Sequence, residues 1–210
     1  MKKCFIIGAS RCGSLYHGIE TGEDDLVIAA DGGYIRCMEA GIKPDMAVGD
    51  WDSAGNPPHD CLFVQLPVEK DDTDTLAAIK LGIEKGFDEF HIFFGTGGRP
   101  DHTIANMQCL VFLSKKGKRG YLYDEKEIIT AITNSSITFS AAAKGSISVF
   151  SADGTAYGVT ETGLKYSLDN AVVTSDFPIG VSNSFAGVQS NITVENGTLY
   201  IIFPKGEFPL

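Results

Sequence analysis

Through residues 1–125, short apolar runs that end in glycine or small polar residues alternate with longer stretches of helical spacing. The runs CFIIGAS, LVIAADGG, MAVGDWDS, LFVQLP, FHIFFG and GYLYDE are rich in β-branched and aromatic residues and predict strands. Between them, YIRCMEAGI has helical spacing and stops at Gly41. DTDTLAAIKLGIEKGF predicts a longer helix, with Asp and Thr at its start and apolar residues at Leu76, Ala77, Ala78, Ile79 and Ile83. Lys85-Gly86 closes it, and Asp72 reads as its cap. TIANMQCLVFLSKKGK predicts another helix, with lysines in the last turn where the helix dipole favours cations. Strand, glycine-rich turn and helix in repetition imply an α/β domain with a mainly parallel sheet.

The pattern changes near Ile128. Residues 137–139, 146–151, 158–160, 171–174, 189–195 and 198–203 form short β-rich runs separated by turns such as ADG, ETG and ENG. No helical period of useful length interrupts them. They predict an antiparallel β-sandwich or roll. The expected organisation is therefore an α/β domain over 1–125 followed by an all-β domain over 126–210, with no Pro- or Ser-rich linker between them.

Composition narrows the functional classes. With 43% hydrophobic and 21% charged residues, the 210-residue chain is of ordinary globular make-up and can bury a core. A formal net charge of −10 argues against a broad nucleic-acid surface, which needs clustered Lys and Arg. An acidic protein can still bind phosphates through divalent cations, backbone N–H groups and a few placed basic residues. The five cysteines are scattered, and no pair makes a CxxC, so reduced thiols are expected instead of a disulfide framework or zinc site. The apolar run of MKKCFIIGAS is too short for a signal peptide, and no run is long enough for a membrane helix. The reading is a soluble, cytoplasmic protein.

Four polar clusters each follow a predicted strand: Asp31-Gly32-Gly33, Gly49-Asp50-Trp51-Asp52-Ser53, Lys70-Asp71-Asp72-Thr73-Asp74, and Gly95–Asp101 with His102. Ligands of open parallel sheets bind at the carboxyl ends of the strands, so the clusters are expected to converge on one sheet edge. Asp50 and Asp52 leave an extended segment on the same side, and Asp74 joins them from the first turn of the next helix. Each aspartate alone reads more readily as a turn or cap residue than as a metal ligand. Together the three form a hard-oxygen set for Mg²⁺, which prefers one or two carboxylates plus waters and substrate phosphates. The glycines of GTGGRPD allow close approach of backbone to phosphate, and Arg99 adds a forked cation. Lys70 reads either as a surface lysine or as a further phosphate contact, and Asp71 as a loop residue. His102 reads as a helix-start residue, and His17, His59 and His91 show no ligand spacing. Trp51 should point away from both flanking carboxylates and pack against the loop.

ADGG, GDWDS, KDDTD and GGRPDHTIAN, in this order and spacing, resemble the motifs of the thiamin pyrophosphokinase family. GVTETGLKYSLDNA and GVSNSF resemble that family's thiamin-binding β-domain, so the likeness covers nearly the whole chain. It implies an α/β domain joined to a β-sandwich, a homodimer with thiamin at the subunit interface, and transfer of the diphosphoryl group of ATP to the hydroxyethyl oxygen of thiamin. By this resemblance Asp50, Asp52 and Asp74 hold Mg²⁺. Lys70, Thr73, Arg99 and Asp101 serve ATP, Asp31, Gly32 and Gly33 lie by the phosphates, and Ser182 and Asn183 hold thiamin. Asp71 is a candidate acceptor for the alcohol proton. Two positions depart from the family pattern: Pro100 replaces an aliphatic residue, and Ser184 replaces an acid. Where some members stack an indole on thiamin, Phe185 or Tyr157 is the available aromatic. An acidic surface suits capture of a cationic substrate.

Two other readings compete: a different Mg²⁺-dependent phosphoryl or nucleotidyl transferase acting on a small alcohol, and a non-catalytic thiamin or nucleotide sensor. The retained aspartates and Arg99 argue against the sensor, and GVSNSF argues for thiamin. If the metal reading is right, Asp52→Asn lowers turnover by at least about a hundredfold through weakened Mg²⁺ binding. Steady-state kinetics at saturating substrate checks this, and near-normal turnover would remove the assignment.

Overall fold

The computed structural model describes residues 2–10, 19–50, 61–67 and 71–210. The chain divides into two compact units: 1–109 with 118–125, and 110–117 with 126–210. In the first unit the strands are β1 (Lys3–Ile7), β2 (Leu26–Ala30), β3 (Met46–Gly49), β4 (Leu62–Gln65), β5 (Glu89–Phe93) and β6 (Arg119–Tyr123). They run in the order β4-β3-β2-β1-β5-β6, and every pairing is parallel. β1, β2, β3 and β5 are buried on nearly every residue, as strands covered on both faces must be.

Among the described residues the helices are α1 (Gly33–Ala40), α2 (Asp74–Glu84) and α3 (Pro100–Lys115). α1 ends where Gly41 adopts φ 68°, a left-handed cap that glycine enters without a Cβ penalty. α2 begins one residue later than its acidic start suggested. Its cap is Thr73, whose hydroxyl accepts from the Leu76 N–H at 3.2 Å. Asp72 is instead drawn to Lys80, 2.6 Å away and about two turns further along the helix. Pro100 opens α3 at a position that needs no backbone donor, with Arg99 just before it accepting from the Thr103 N–H. Gly82 lets α2 sit on the sheet, since a Cβ there would lie 2.7 Å from the Phe90 ring and 2.9 Å from Cys4 Sγ.

On one face of the sheet, alternate residues of β1, β5 and β6 bring aromatic rings together. His91 stacks between Phe5 and Tyr121, at 5.2 and 5.3 Å, and Phe93 stacks on Tyr123 at 4.1 Å. His91 is a satisfied core histidine. Its Nδ1 shares a hydrogen bond with the Tyr123 hydroxyl, and its Nε2 with Glu89. That bond holds the Glu89 carboxyl below the usual range, with help from Arg119 at 3.1 Å.

The second unit is an antiparallel sandwich, as the short β-rich runs predict. One sheet has the order β12-β9-β14-β7, built from Asn183–Ser184, Ser146–Ser151, Thr198–Pro204 and Glu127–Thr133. The other is β11-β10-β13-β8, from Leu168–Thr174, Thr155–Thr162, Ser190–Thr193 and Ser136–Phe139. Phe139 of one sheet meets Phe203 of the other edge-on at 5.1 Å in the core. β7 and β12 are not foreseen from sequence. EIITAIT is apolar without alternation, and such a run does not distinguish strand from buried helix.

Cys4, Cys37, Cys61 and Cys109 are free thiols, and Cys12 lies outside the described residues. Burial pushes Cys4 and Cys37 up to about 12 and Cys109 up to about 11, so their nucleophilic thiolate is suppressed. In the native protein at pH 8, iodoacetamide should therefore label Cys61 well before Cys4, Cys37 and Cys109. Peptide mass mapping over a time course checks the order.

Candidate functional site

The strand order reverses about β1: β2, β3 and β4 lie to one side of it, and β5 and β6 to the other. At such a switch point the loops leaving the strand ends part and open a crevice. Here that crevice is a cavity of about 490 Å³. Gly8–Ser10 line it after β1, Ala30 with Asp31 and Gly32 at the end of β2, and Phe94–Thr96 with Gly98 and Arg99 after β5, joined by Thr73–Thr75 at the start of α2 and by His102 and Asn106 of α3.

Backbone crowding shapes the loops. A side chain on Gly33 would place Cβ 1.8 Å from the Ile7 carbonyl oxygen, so only glycine lets α1 start against β1. A Cβ on Gly8 would lie 2.7 Å from the Phe94 carbonyl oxygen, and one on Gly49 would lie 3.0 Å from Asp31 Cα. Asp31 and Phe94 adopt φ 45° and 54°, uncommon for non-glycine residues and a genuine strain for phenylalanine. Hydrogen bonds hold both turns: the Asp31 N–H donates to the Val48 carbonyl at 2.7 Å, and the Ser10 N–H to that of Phe94 at 3.0 Å. The glycine loop after β5 is pinned from two further sides. Asn106 Nδ2 donates to the Gly95 carbonyl at 2.8 Å, and the Ser10 hydroxyl to the Thr96 carbonyl at 2.6 Å.

Of the residues singled out from sequence, Asp31, Gly32, Thr73, Asp74 and Arg99 line this cavity. Gly33 is buried behind it. Asp50 follows β3, which lies next to β2, the strand that Asp31 follows. Asp71 lines a separate shallow depression with Asp72 and Lys80. Asp101 stands in the first turn of α3, where both its oxygens accept from Arg99, at 3.2 and 2.6 Å. That hydrogen bond holds the exposed Asp101 carboxyl below its ordinary range and raises Arg99. Trp51, Asp52, Ser53 and Lys70 lie outside the described residues. Among the described residues no group of three or more His, Cys, Asp or Glu forms a metal cluster.

In the second unit, Gly180-Val181-Ser182-Asn183 runs along β9. The Val149 N–H donates to the Gly180 carbonyl at 2.9 Å, and a Cβ on Gly180 would lie 2.1 Å from the Val149 carbonyl oxygen. Ser182 is exposed and turned to φ 58°. Asn183 is buried, and its amide is fully engaged. Its oxygen accepts from the Tyr166 and Ser184 N–H groups, and its nitrogen donates to the Tyr166 carbonyl and to Glu161 Oε2. It thus clamps the peptide of Tyr166, whose ring is exposed with the Lys165 ammonium 5.2 Å from its centre. Glu161 is buried, burial pushes its carboxyl up, and Oε1 has no partner among the described residues. Phe185 packs on Phe139 in the core at 5.2 Å, whereas Tyr157 is half exposed. The role of Asn183 as a clamp was not visible in sequence, because its partners lie 17 and 22 residues away.

Family models for the catalytic domain and the vitamin B1 binding domain of thiamin pyrophosphokinase match residues 20–122 and 135–200. The chain belongs to the thiamin pyrophosphokinase family. Thiamine pyrophosphokinase of Bacillus subtilis is 30% identical over 189 residues, covering 87% of this chain and 88% of that protein. A crystal structure of the Bacillus subtilis thiamine pyrophosphokinase has a TM-score of 0.84 at 27% identity, covering 97% of this chain and 99% of the other. Thiamin pyrophosphokinase from Candida albicans shares the fold at TM-score 0.77 and 15% identity, over 97% of this chain and 90% of its own.

Asn183→Ala would release the Tyr166 peptide and leave Glu161 buried with neither oxygen hydrogen-bonded. A loss of about 1–3 kcal/mol in unfolding free energy is expected, the range for leaving a buried polar group unsatisfied. Urea unfolding followed by circular dichroism measures it. An unchanged midpoint would show that the clamp is not structural.

Proposed function

We infer that this chain transfers the diphosphoryl group of ATP to the hydroxyethyl oxygen of thiamin, giving thiamin diphosphate and AMP. The observation that carries the reading is the switch-point cavity, where Asp31, Gly32, Thr73, Asp74 and Arg99 from separate elements meet in one wall. In the reaction the thiamin hydroxyl oxygen forms a bond to the β-phosphorus. The bond between that phosphorus and the oxygen bridging to the α-phosphorus breaks, and the bridging oxygen leaves on AMP. The hydroxyl proton passes to a carboxylate; Asp71, the candidate from sequence, lines the neighbouring depression and would have to reach the hydroxyl from there.

Diphosphoryl transfer demands mainly alignment and charge stabilisation. Arg99 is suited to this. Its ion pair with Asp101 is exposed on both sides, so exchanging that carboxylate for a phosphate oxygen costs little. Gly32 and the glycine loop leave the backbone open to phosphate approach. Thr73 and Asp74 begin α2, whose N-terminus adds positive potential toward an anion.

The donor set fits a magnesium ion. Asp31 and Asp74 line the same cavity, Asp50 stands at the neighbouring strand end and Asp52 follows within two residues. Asp50, Asp52 and Asp74 remain the proposed ligands, and hard carboxylate oxygens together with substrate phosphates match what Mg²⁺ takes. When bound, it would neutralise charge on the transferring group.

The first unit is thus read as the ATP and Mg²⁺ domain, and 126–210 as the thiamin domain. In the latter, exposed Ser182 is the direct candidate contact. Asn183 serves by shaping the segment that presents Ser182 and Tyr166. A homodimer with thiamin at the subunit interface is supported by the apolar side chains that this unit exposes, among them Tyr166, Val172, Phe177, Ile179, Val181 and Val188. A cytoplasmic enzyme is consistent with the absence, among the described residues, of any helix long and apolar enough to cross a membrane.

Incubation with thiamin, ATP and Mg²⁺ should yield thiamin diphosphate and AMP in equal amounts, with no ADP, and EDTA should abolish turnover. Chromatography of the products checks this. ADP with thiamin monophosphate would favour a phosphoryl transferase, and binding without turnover would favour a sensor.

A further inference from the structure

α1 places a second arginine in the wall of the cavity. Arg36 lies beside Ile35 within one turn of Gly32, facing the same space as Arg99. The two guanidinium groups are differently set. The Arg99 side chain is 71% exposed and that of Arg36 only 14%. Nη1 of Arg36 donates to Glu39 Oε2, three residues on along the helix. Glu39 is its only polar side-chain partner among the described residues, and its Nε is sealed from solvent with no hydrogen-bond partner.

A guanidinium stays charged at any physiological pH and carries a rigid fork of donors. Holding it in a largely buried place with one edge paired and another unmet is costly. Packing alone does not call for an arginine here. An uncharged side chain of similar length would fill the same space at lower cost. Among the described residues the other charged groups lining the cavity are Asp31, Asp74 and Arg99. None of them forms an ion pair with Arg36. The Arg36 side chain keeps 14% exposure where it lines the cavity, and an anion there would take the accessible donors that Glu39 does not hold, in a fork whose geometry matches paired oxygens on one phosphorus.

We propose that Arg36 is a phosphate-binding residue of the nucleotide site, a fixed cation that complements the exposed Arg99. This rests on the reading of the cavity as the ATP site. Glu39 holds one edge of the guanidinium along α1 and so sets its direction. Arg36 meets the nucleotide already ordered, whereas Arg99 must first leave Asp101. The helix that carries Arg36 begins at Gly33, whose lack of a side chain lets the helix approach β1 closely. The same close approach therefore sets the position of Arg36.

The test is calorimetric titration with the non-hydrolysable α,β-methylene analogue of ATP in Mg²⁺, without thiamin, on the full chain. Arg36→Met is expected to weaken binding by at least about tenfold, as for the loss of a hydrogen bond to a charged group. Arg36→Lys keeps a charge without the fork and should recover only part of the loss. The KM for thiamin should stay within about twofold of the wild type in both, which a general loosening of the fold would not allow. Should Arg36→Met fail to unfold cooperatively, Arg36→Lys carries the test on the same scale. Wild-type affinity in a folded Arg36→Met or Arg36→Lys protein would overturn the proposal and leave the ATP reading standing. A wild-type protein that does not bind the analogue would overturn both.

Discussion

Close packing of main chain at the carboxyl ends of β1, β2 and β5 is the constraint on which the rest of the first unit depends. Gly33 abuts the Ile7 carbonyl and Gly8 abuts that of Phe94, with no space for a methyl group at either place. The crowding forces Phe94 and Asp31 into left-handed backbone, at about 1–3 kcal/mol each. Hydrogen bonds from Ser10 and Asp31 across the strand ends offset part of that cost. In return, the loops cannot collapse into the crevice, and the side chains they carry need little reorganisation to meet a ligand.

The electrostatics of the cavity follow from this frame. An acidic chain that handles phosphates must place its few cations where they count. Arg99 and Arg36, the two cations proposed for that role, are set differently, one exposed on a glycine loop and the other largely buried on a helix. Each is paired with a carboxylate close in sequence, Asp101 and Glu39 respectively. Those local partners keep the cations ordered without ligand. The exposed pair is screened by solvent and easily exchanged, while the buried one is held in a single direction.

The second unit solves a different problem with similar means. Gly180 lets a loop lie directly on β9, and the buried Asn183 amide then ties that loop to the backbone of Tyr166. One side chain thus satisfies several main-chain groups that a surface loop would otherwise give to water. Glu161, with one oxygen unsatisfied, is the costly member of the network, and burial keeps it from ionising readily.

Local pattern alone was enough to show the α/β unit with its parallel strands, the antiparallel unit behind it, and the polar clusters at the strand ends. Buried strands are apolar runs, glycine marks the turns, and both properties are written residue by residue. The motifs added the family, because their order and spacing survive where overall identity is low. Pattern did not show that Thr73 and not Asp72 caps α2, since Lys80 competes for the Asp72 carboxylate from two turns away. Nor did it show β7, whose apolar run has no period to read, or the clamp made by Asn183. In sequence Arg36 is one polar position in the helical run YIRCMEAGI. Its burial, its unmet donor and its place in the cavity wall arise only when α1 folds back onto β1. Sequence determines which groups are available and how each segment is inclined to fold. Which polar atoms find partners, and which are left without one, depends on contacts between distant segments, and only the tertiary structure decides those.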